Sequence, residues 1–263
     1  GVLQTIHQVE SQGLVIAGSG IDLQHARAPQ YFECDGGTVA LVAMACDFVR
    51  YGKASFSRHD VPGRPGVNPI SVNRRQIKLS PFKAAERWRD SLLRPFGFAK
   101  RPAKPSDFNV AFDWGWGPDA SDVSANLKAV SEAKANADVV VVSIHAHRQG
   151  DWLTAFAKDA IDRGAHAVVM HGPHHVRGVE MHQGRPIFYS LGDFVFEPEY
   201  VARFPAEAYL RVGLPANASI EDLRALESAH FLGLLQEEEA FQGVVAEMSI
   251  KNARPTSVRL TPI

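Results

Sequence analysis

Residues Asp138–His147 read DVVVVSIHAH, and Ala167–Phe196 read AVVMHGPHHVRGVEMHQGRPIFYSLGDFVF. From Val139 to Ile144 every residue except Ser143 is β-branched. A run of this kind, without polar alternation, predicts a strand buried on both faces, as in the middle of a layered α/β sheet. It ends at His145. From Asp151 the apolar residues Leu153, Phe156, Ala157, Ala160 and Ile161 recur at helical spacing, with Asp151 as the N-cap and Gly164 as the stop. A second short strand, Ala167–Met170, ends at His171. The unit is strand, helix, strand, and both strands deliver a histidine at their carboxyl ends, where open α/β sheets place their sites.

Two adjacent strand ends that both carry imidazole point to a metal, because neutral imidazole is the commonest nitrogen ligand for zinc, iron or nickel. His174 lies one turn beyond His171, with Pro173 stiffening the segment between them, and is a candidate second nitrogen for the same ion. A lone histidine in such a place is more often a hydrogen-bonded or solvent-exposed residue, and an HxxH pair alone is a weak motif. Three histidines at the ends of two neighbouring strands form the stronger pattern. His147 is a candidate general acid or partner of a ligand, since imidazole titrates near neutrality; an exposed loop residue is the alternative.

Three blocks carry a resemblance: SIHAH at 143–147, HGPHHVRGVE at 171–180 and GRPIFYSLGDFVF at 184–196. In order and spacing they resemble the carboxy-terminal half of the CapA-like, poly-γ-glutamate capsule synthesis family, within the calcineurin-like metallophosphatase superfamily. Upstream, GVLQTIHQVESQGLVIAGSGIDLQHARAP at 1–29 resembles the helix, strand and GxGxxxxxAxxP segment that follows the family's asparagine-histidine block. The resemblance runs from Gly1 to Phe196 and continues more loosely to the end. It implies that His145, His171 and His174 are the late histidine ligands of a two-metal centre. The divalent ions are Mn, Zn, Fe or Ni, which the residues do not distinguish.

The chain departs from the family at Asp193, where Ser-Leu-Gly-Asn-Phe is usual, so a carboxylate replaces a neutral amide. The family's early ligands, two aspartates and the asparagine-histidine pair, are expected upstream of Gly1. On this reading the chain is part of a longer protein and lacks the first strands of its fold. The resemblance implies a metal-dependent enzyme of hydrolase type, acting on a small-molecule, peptide or polyglutamate substrate through phosphoester or γ-glutamyl amide chemistry. One alternative is metal-dependent epimerisation at a peptide α-carbon. Another is a non-catalytic assembly or export component of capsule polymer synthesis. The family's setting is the bacterial cell envelope or cytoplasm.

Outward from these blocks, Val2, Ile6 and Val9 predict an amphipathic helix stopping at Gly13, followed by a short buried strand at Leu14–Ala17. Gly18-Ser-Gly20 lacks the continuation of a dinucleotide loop or a P-loop and reads as a plain turn. Asp22–Ala28 is a helical turn closed by Pro29, and Tyr31–Glu33 with Thr38–Ala45 reads as a β-hairpin at one side of the main sheet. Asp47–Asn73 is rich in Gly, Pro, Arg and Ser, and its Gly63–Pro69 core is expected to join no ladder. A loop of this length is a candidate lid, with His59, Arg64 and Asn68 as candidate substrate contacts and solvated loop residues as the alternative. Ser80–Leu93 is a capped helix, Phe108–Phe112 an alternating strand, and Trp114 and Trp116 occupy a glycine-flanked loop, more in keeping with packing than with stacking on a ligand. Ser121–Ala135 is a helix leading into the first buried strand.

Downstream, Val176–Gly184 predicts a hairpin turning at Gln183-Gly184, and Pro186–Leu191 a strand returning to the sheet. Arg177 is a candidate for holding a phosphate or carboxylate in a forked contact; pairing with Glu180 is the alternative. Residues 199–241 read as a helical appendage with an acidic run at Glu237–Glu239, and 242–263 as outer strands completing a core that spans 1–198. The fold class is α/β, a metallophosphatase-like α/β/β/α sandwich of two sheets flanked by helices. With 263 residues, 45% of them hydrophobic, the chain is long enough for a full core. Its formal charge of -1 and the lack of a basic patch interleaved with aromatics exclude a nucleic-acid module. No stretch approaches the roughly 20 apolar residues of a membrane helix. Cys34 and Cys46 are too few for a disulfide framework, lack CxxC spacing and read as buried thiols.

Overall fold

The computed structural model of the chain describes residues 1–46, 48, 51–78, 89, 112–147, 150–195, 204–215, 217–223, 225, 226 and 241–263. Its helices are α1 (Val2–Ser11), α2 (Leu23–Arg27), α3 (Ala120–Asn136), α4 (Asp151–Asp162) and α5 (Ala206–Arg211). Its strands are β1 (Ser19–Gly20), β2 (Gln30–Cys34), β3 (Gly37–Ala45), β4 (Gly66–Val67), β5 (Val72–Lys78) and β6 (Phe112–Pro118), then β7 (Val139–His145), β8 (Ala167–His171), β9 (Val179–His182), β10 (Arg185–Phe188), β11 (Val244–Lys251) and β12 (Arg254–Pro262). Two compact units result: Gly1–Pro69 with Ala125–Ile263, and Ile70–Ser124. The expected helix at Ser80–Leu93 lies, apart from position 89, outside the described residues, as does the acidic run at Glu237–Glu239.

The first unit is mixed α/β, built on a six-stranded sheet in the order β2-β3-β7-β8-β10-β9. The four inner strands are parallel, and the two edge strands are antiparallel to their neighbours. Helix α4 buries Leu153, Phe156, Ala157, Ala160 and Ile161, the stripe its sequence spacing selects. It stops at Gly164, whose φ of +113° suits glycine, while the Ala165 N–H reaches back to the Ala160 carbonyl at 3.0 Å. The hairpin from β9 to β10 turns at Gln183 and Gly184, both with positive φ, as the two-residue turn requires. In the second unit β5 and β6 form an antiparallel pair.

Six expectations are corrected, the first that both thiols are buried: Cys46 is, but Cys34 is exposed. Helix α4 begins one residue earlier than an Asp151 cap would have it: Gly150 holds the cap position, with no side-chain bond. Strand β7 is sealed on one face only, where Val140, Val142 and Ile144 are fully buried; Val139, Val141, Ser143 and His145 are half-buried on the other. The two-residue period puts both polar side chains on that second face. Leu14–Ala17 forms no strand, because the Leu14 N–H closes the end of α1 on the Val9 carbonyl at 3.3 Å. The pairing falls to β1 and β4 instead. Residues 63–69 therefore do join a ladder: Pro65 and Pro69 lack N–H groups, but Val67 keeps one and donates it to the Gly52 carbonyl at 2.8 Å. Likewise Trp114 and Trp116 lie within β6, because that strand runs on to Pro118 alongside β5, with Trp114 in register with Gln76 and Trp116 with Arg74.

The Gly18-Ser19-Gly20 turn has a packing cause. A Cβ on Gly18 would meet that of Ala43 at 2.9 Å, and one on Gly20 would run into the backbone nitrogen of Ala26. Bare glycine here lets α2 dock, with Leu23, Ala26 and Ala54 forming a small buried cluster. The spacing of the two glycines and Ala26 thus encodes close approach of backbone, and no phosphate is needed to explain it.

His166 is fully buried and ties the unit together. Its Nδ1 accepts from the Val140 N–H at 3.0 Å, and Nε2 bonds the Ala253 carbonyl, also at 3.0 Å, in the turn from β11 to β12. Burial first, then the charges of Lys134 and Arg185, lower its pKa below that of a free imidazole. Protonation therefore favours the unfolded chain, where histidine titrates near about 6.5. The stabilisation is complete above that pH and is lost as pH falls towards the lowered native value. His166→Asn is expected to cost about 1–3 kcal/mol at pH 8. Urea unfolding from pH 8 to 5.5 should show the gap between the variant and the original chain narrowing, and a gap independent of pH would refute this account.

Candidate metal centre

The parallel register of β3, β7 and β8 aligns Ala45, His145 and His171 in one row. Just past the row, the Cys46 N–H donates to the His145 carbonyl and the Ala146 N–H to the His171 carbonyl, both at 2.8 Å. Both histidines are thus held by ladder bonds on each side of the last strand residue. Gly172 follows with φ +116°, and a Cβ there would lie 3.0 Å from the Ala146 carbonyl carbon and 3.1 Å from the His147 nitrogen. The chain leaving β8 therefore passes tight against the chain leaving β7. His174, with φ +61°, occupies the left-handed region that few non-glycine residues adopt.

These backbones gather four imidazoles. The Nδ1 atoms of His145 and His171 are 3.0 Å apart, and their ring centroids 5.0 Å. The His147 ring meets His145 edge-on at 4.8 Å and stacks with His174 at 5.9 Å and 22°. Ser143 Oγ lies 3.2 Å from His171 Nε2, and Asp193 Oδ2 lies 2.9 Å from His174 Nδ1. Desolvation, reinforced by the His145 and His147 charges, pushes the pKa of His171 down, although its outer edge is exposed. Lowered basicity favours the neutral ring, the form in which imidazole binds a metal.

The donor set fits an ion in part. In tetrahedral geometry two nitrogens each about 2.1 Å from one ion stand roughly 3.4 Å apart; the His145–His171 pair, at 3.0 Å, is close to that spacing and also within hydrogen-bonding reach of one another. Among the described residues, no group of three His, Cys, Asp or Glu side chains is arranged to hold one ion. All three expected ligands, His145, His171 and His174, and the candidate acid His147 lie in one cluster. Of its neighbours, Ser143 was not singled out from the sequence, and Asp193 only as a carboxylate in place of the family's asparagine. Ser143 shows one available signal, as the polar residue two positions before His145 on the same strand face.

The remaining candidates lie elsewhere in the unit. Asn68 is fully buried, and its Nδ2 donates to the Ala43 carbonyl at 2.8 Å and to Asn126 Oδ1 at 2.7 Å. Arg64 donates from Nε and a terminal nitrogen to the Lys53 carbonyl, at 3.1 and 2.9 Å. The His59 side chain is 87% exposed, 3.8 Å from Asp60. Arg177 is exposed and its N–H donates to the Ser190 carbonyl at 2.9 Å. Glu180, the alternative partner for Arg177, receives Lys158 Nζ and the Tyr189 hydroxyl, each at 2.7 Å, which lowers its pKa.

A parallel sheet whose central strand ends converge on histidine, followed by the Gly192-Asp193 loop, is the architecture that the three sequence blocks foreshadow. The chain belongs to the family described as bacterial capsule synthesis protein PGA_cap, which it matches over residues 1–198. It is similar to the protein y4sH of Sinorhizobium fredii, 28% identical over the whole of this chain and 62% of that protein. It is also similar to the PGA biosynthesis protein CapA of Bacillus subtilis, 38% identical over 29% of this chain and 22% of that protein. The capsule biosynthesis protein CapA of Bacillus anthracis is 40% identical over 27% of this chain and 20% of its own length. The chain thus spans 62% of the length of that Sinorhizobium protein. Among the described residues no helix is long and apolar enough to cross a membrane.

The Gly192-Asp193 loop is seated by a neighbour. Gly192 has φ +74°, a Cβ on it would strike the Gln242 carbonyl, and it bridges Gly243 just before β11. The Val244 N–H holds the Leu191 carbonyl at 2.8 Å. Gly192→Ala is expected to cost about 1–2 kcal/mol for the left-handed backbone alone, with more from the collision. Urea denaturation checks it, and an unchanged midpoint would contradict the close approach.

Proposed function

We propose that this chain contributes the late-ligand half of a divalent-metal site in a hydrolase of capsule-polymer synthesis, acting on poly-γ-glutamate or a related γ-glutamyl or phosphoester substrate. Membership of the capsule synthesis family and the name of the Bacillus anthracis relative support the setting, and the name of the Bacillus subtilis relative, a PGA biosynthesis protein, supports the polymer. The observation that carries the reading is the 3.0 Å approach of the His145 and His171 Nδ1 atoms at two in-register strand ends. Such an approach suits two ligands of one ion, and the metallophosphatase resemblance supplies the second ion and its upstream ligands.

In this reading His145, His171 and His174 hold the ions. Divalent ions, when bound, polarise the bond under attack and lower the pKa of water from about 15.7 towards roughly 7. His147 delivers a proton to the departing amine or alkoxide as the C–N or P–O bond breaks, which neutralises the leaving group. Arg177, exposed beyond the cluster, docks a substrate carboxylate or phosphate through its planar fork. His59 and Arg64, on the 51–65 segment, are further contacts for an anionic polymer.

Elemental analysis and turnover of γ-glutamyl anilides and aryl phosphates test this, on the chain and on its complete reading frame. The expected result is bound metal in the original protein, its loss in His145→Ala and His171→Ala, and retained metal with turnover reduced roughly 10²-fold or more in His147→Ala. Absence of metal from the complete, metal-supplemented protein would overturn the reading in favour of a non-catalytic assembly component.

A further inference from the structure

We infer that Asp193 is a positioning residue that fixes the tautomer and ring orientation of His174, an inference that rests on the reading of His174 as a metal ligand. Asp193 Oδ2 stands 2.9 Å from His174 Nδ1, and both side chains are largely shielded, at 22% and 33% exposure. An ionised carboxylate only accepts hydrogen bonds. In the neutral imidazole, Nδ1 must therefore carry the proton, and Nε2, across the ring, keeps the lone pair that a metal needs.

The asparagine usual at this position lacks that selectivity. An amide presents both an acceptor oxygen and a donor nitrogen, and by turning over it satisfies Nδ1 whether or not Nδ1 is protonated. Aspartate thus removes one of two tautomers that asparagine would tolerate. A carboxylate behind a metal-bound histidine also raises the basicity of the ligand and locks its plane.

The surrounding backbone is built to hold this contact. On one side, Gly192 and Gly243 abut so closely that neither tolerates a Cβ: one on Gly243 would strike the Asp193 carbonyl, and one on Gly192 the Gln242 carbonyl. On the other side, His174 sits at φ +61°, a conformation that needs an external tether. The bond from Asp193 supplies it, and the stack with His147 at 22° fixes the ring from its face.

The test is long-range proton–nitrogen NMR on histidine-labelled protein without metal at pH 8, with the His174 signals assigned by their loss in His174→Gln. The original chain should show His174 as the Nδ1–H tautomer, and Asp193→Asn should mix the two tautomers while the other imidazole signals stay in place. Zinc titration by calorimetry should then show Asp193→Asn weakened roughly 10–100-fold. An Nε2–H tautomer in the original chain, or unchanged tautomer populations in Asp193→Asn, overturns the inference even if metal binds. Should Asp193→Asn fail to fold, the tautomer of the original chain decides alone. If the tautomer behaves as expected but no variant or original protein binds metal, the metal reading fails and the positioning of His174 by Asp193 stands.

Discussion

The in-register parallel pairing of β3, β7 and β8 is the constraint on which the rest of the site depends. It places Ala45, His145 and His171 side by side and ends three strands at one level. A slip of one residue in either ladder would turn the histidine to the opposite face and replace it with a buried aliphatic neighbour. Val140, Val142 and Ile144 on β7, and Val168 and Met170 on β8, resist such a slip because each is fully buried in the present register. Apolar burial on one face thus sets the chemistry on the other.

Beyond the strand ends, close backbone approach replaces regular structure. Gly172 lets the segment after β8 lie against Ala146 and His147, and Gly192 lets the loop after β10 lie against Gly243. The hairpin of β11 and β12 is the backstop, held to Leu191 through Val244 and to His166 through Ala253. Val244, 70 positions beyond His174, and Ala253 therefore help shape the site without belonging to it.

Part of this was legible in the chain. The β-branched run ending at His145, the helical stripe from Leu153 to Ile161, the stop at Gly164 and the turn at Gln183-Gly184 all follow from local periodicity and backbone preference, and all are present. The illegible parts share one cause. Leu14–Ala17 had the composition of a strand but lost an N–H to the end of α1, while Gly66-Val67, between two prolines, gained a partner in Ser19-Gly20. Trp114 and Trp116 joined a strand because β5 lay opposite them. Pairing between distant segments decided each case, and no window of sequence contains it.

The site divides along the same line. The histidines at strand ends were visible because a strand's carboxyl end can be read from where the apolar run stops. The sequence by itself determined which imidazoles are available, the family to which they belong and the carboxylate at Asp193. Only the tertiary structure decided that His145 and His171 bring Nδ1 to Nδ1 at 3.0 Å, that His147 stacks on His174, and that Asp193 closes on His174 across 19 positions of chain. It also decided that Asn68, a candidate substrate contact, is buried with its amide bonded to Ala43 and Asn126. Distances of that kind arise from sheet register and from glycine contacts between segments, which are properties of pairs of chain segments and not of either segment alone.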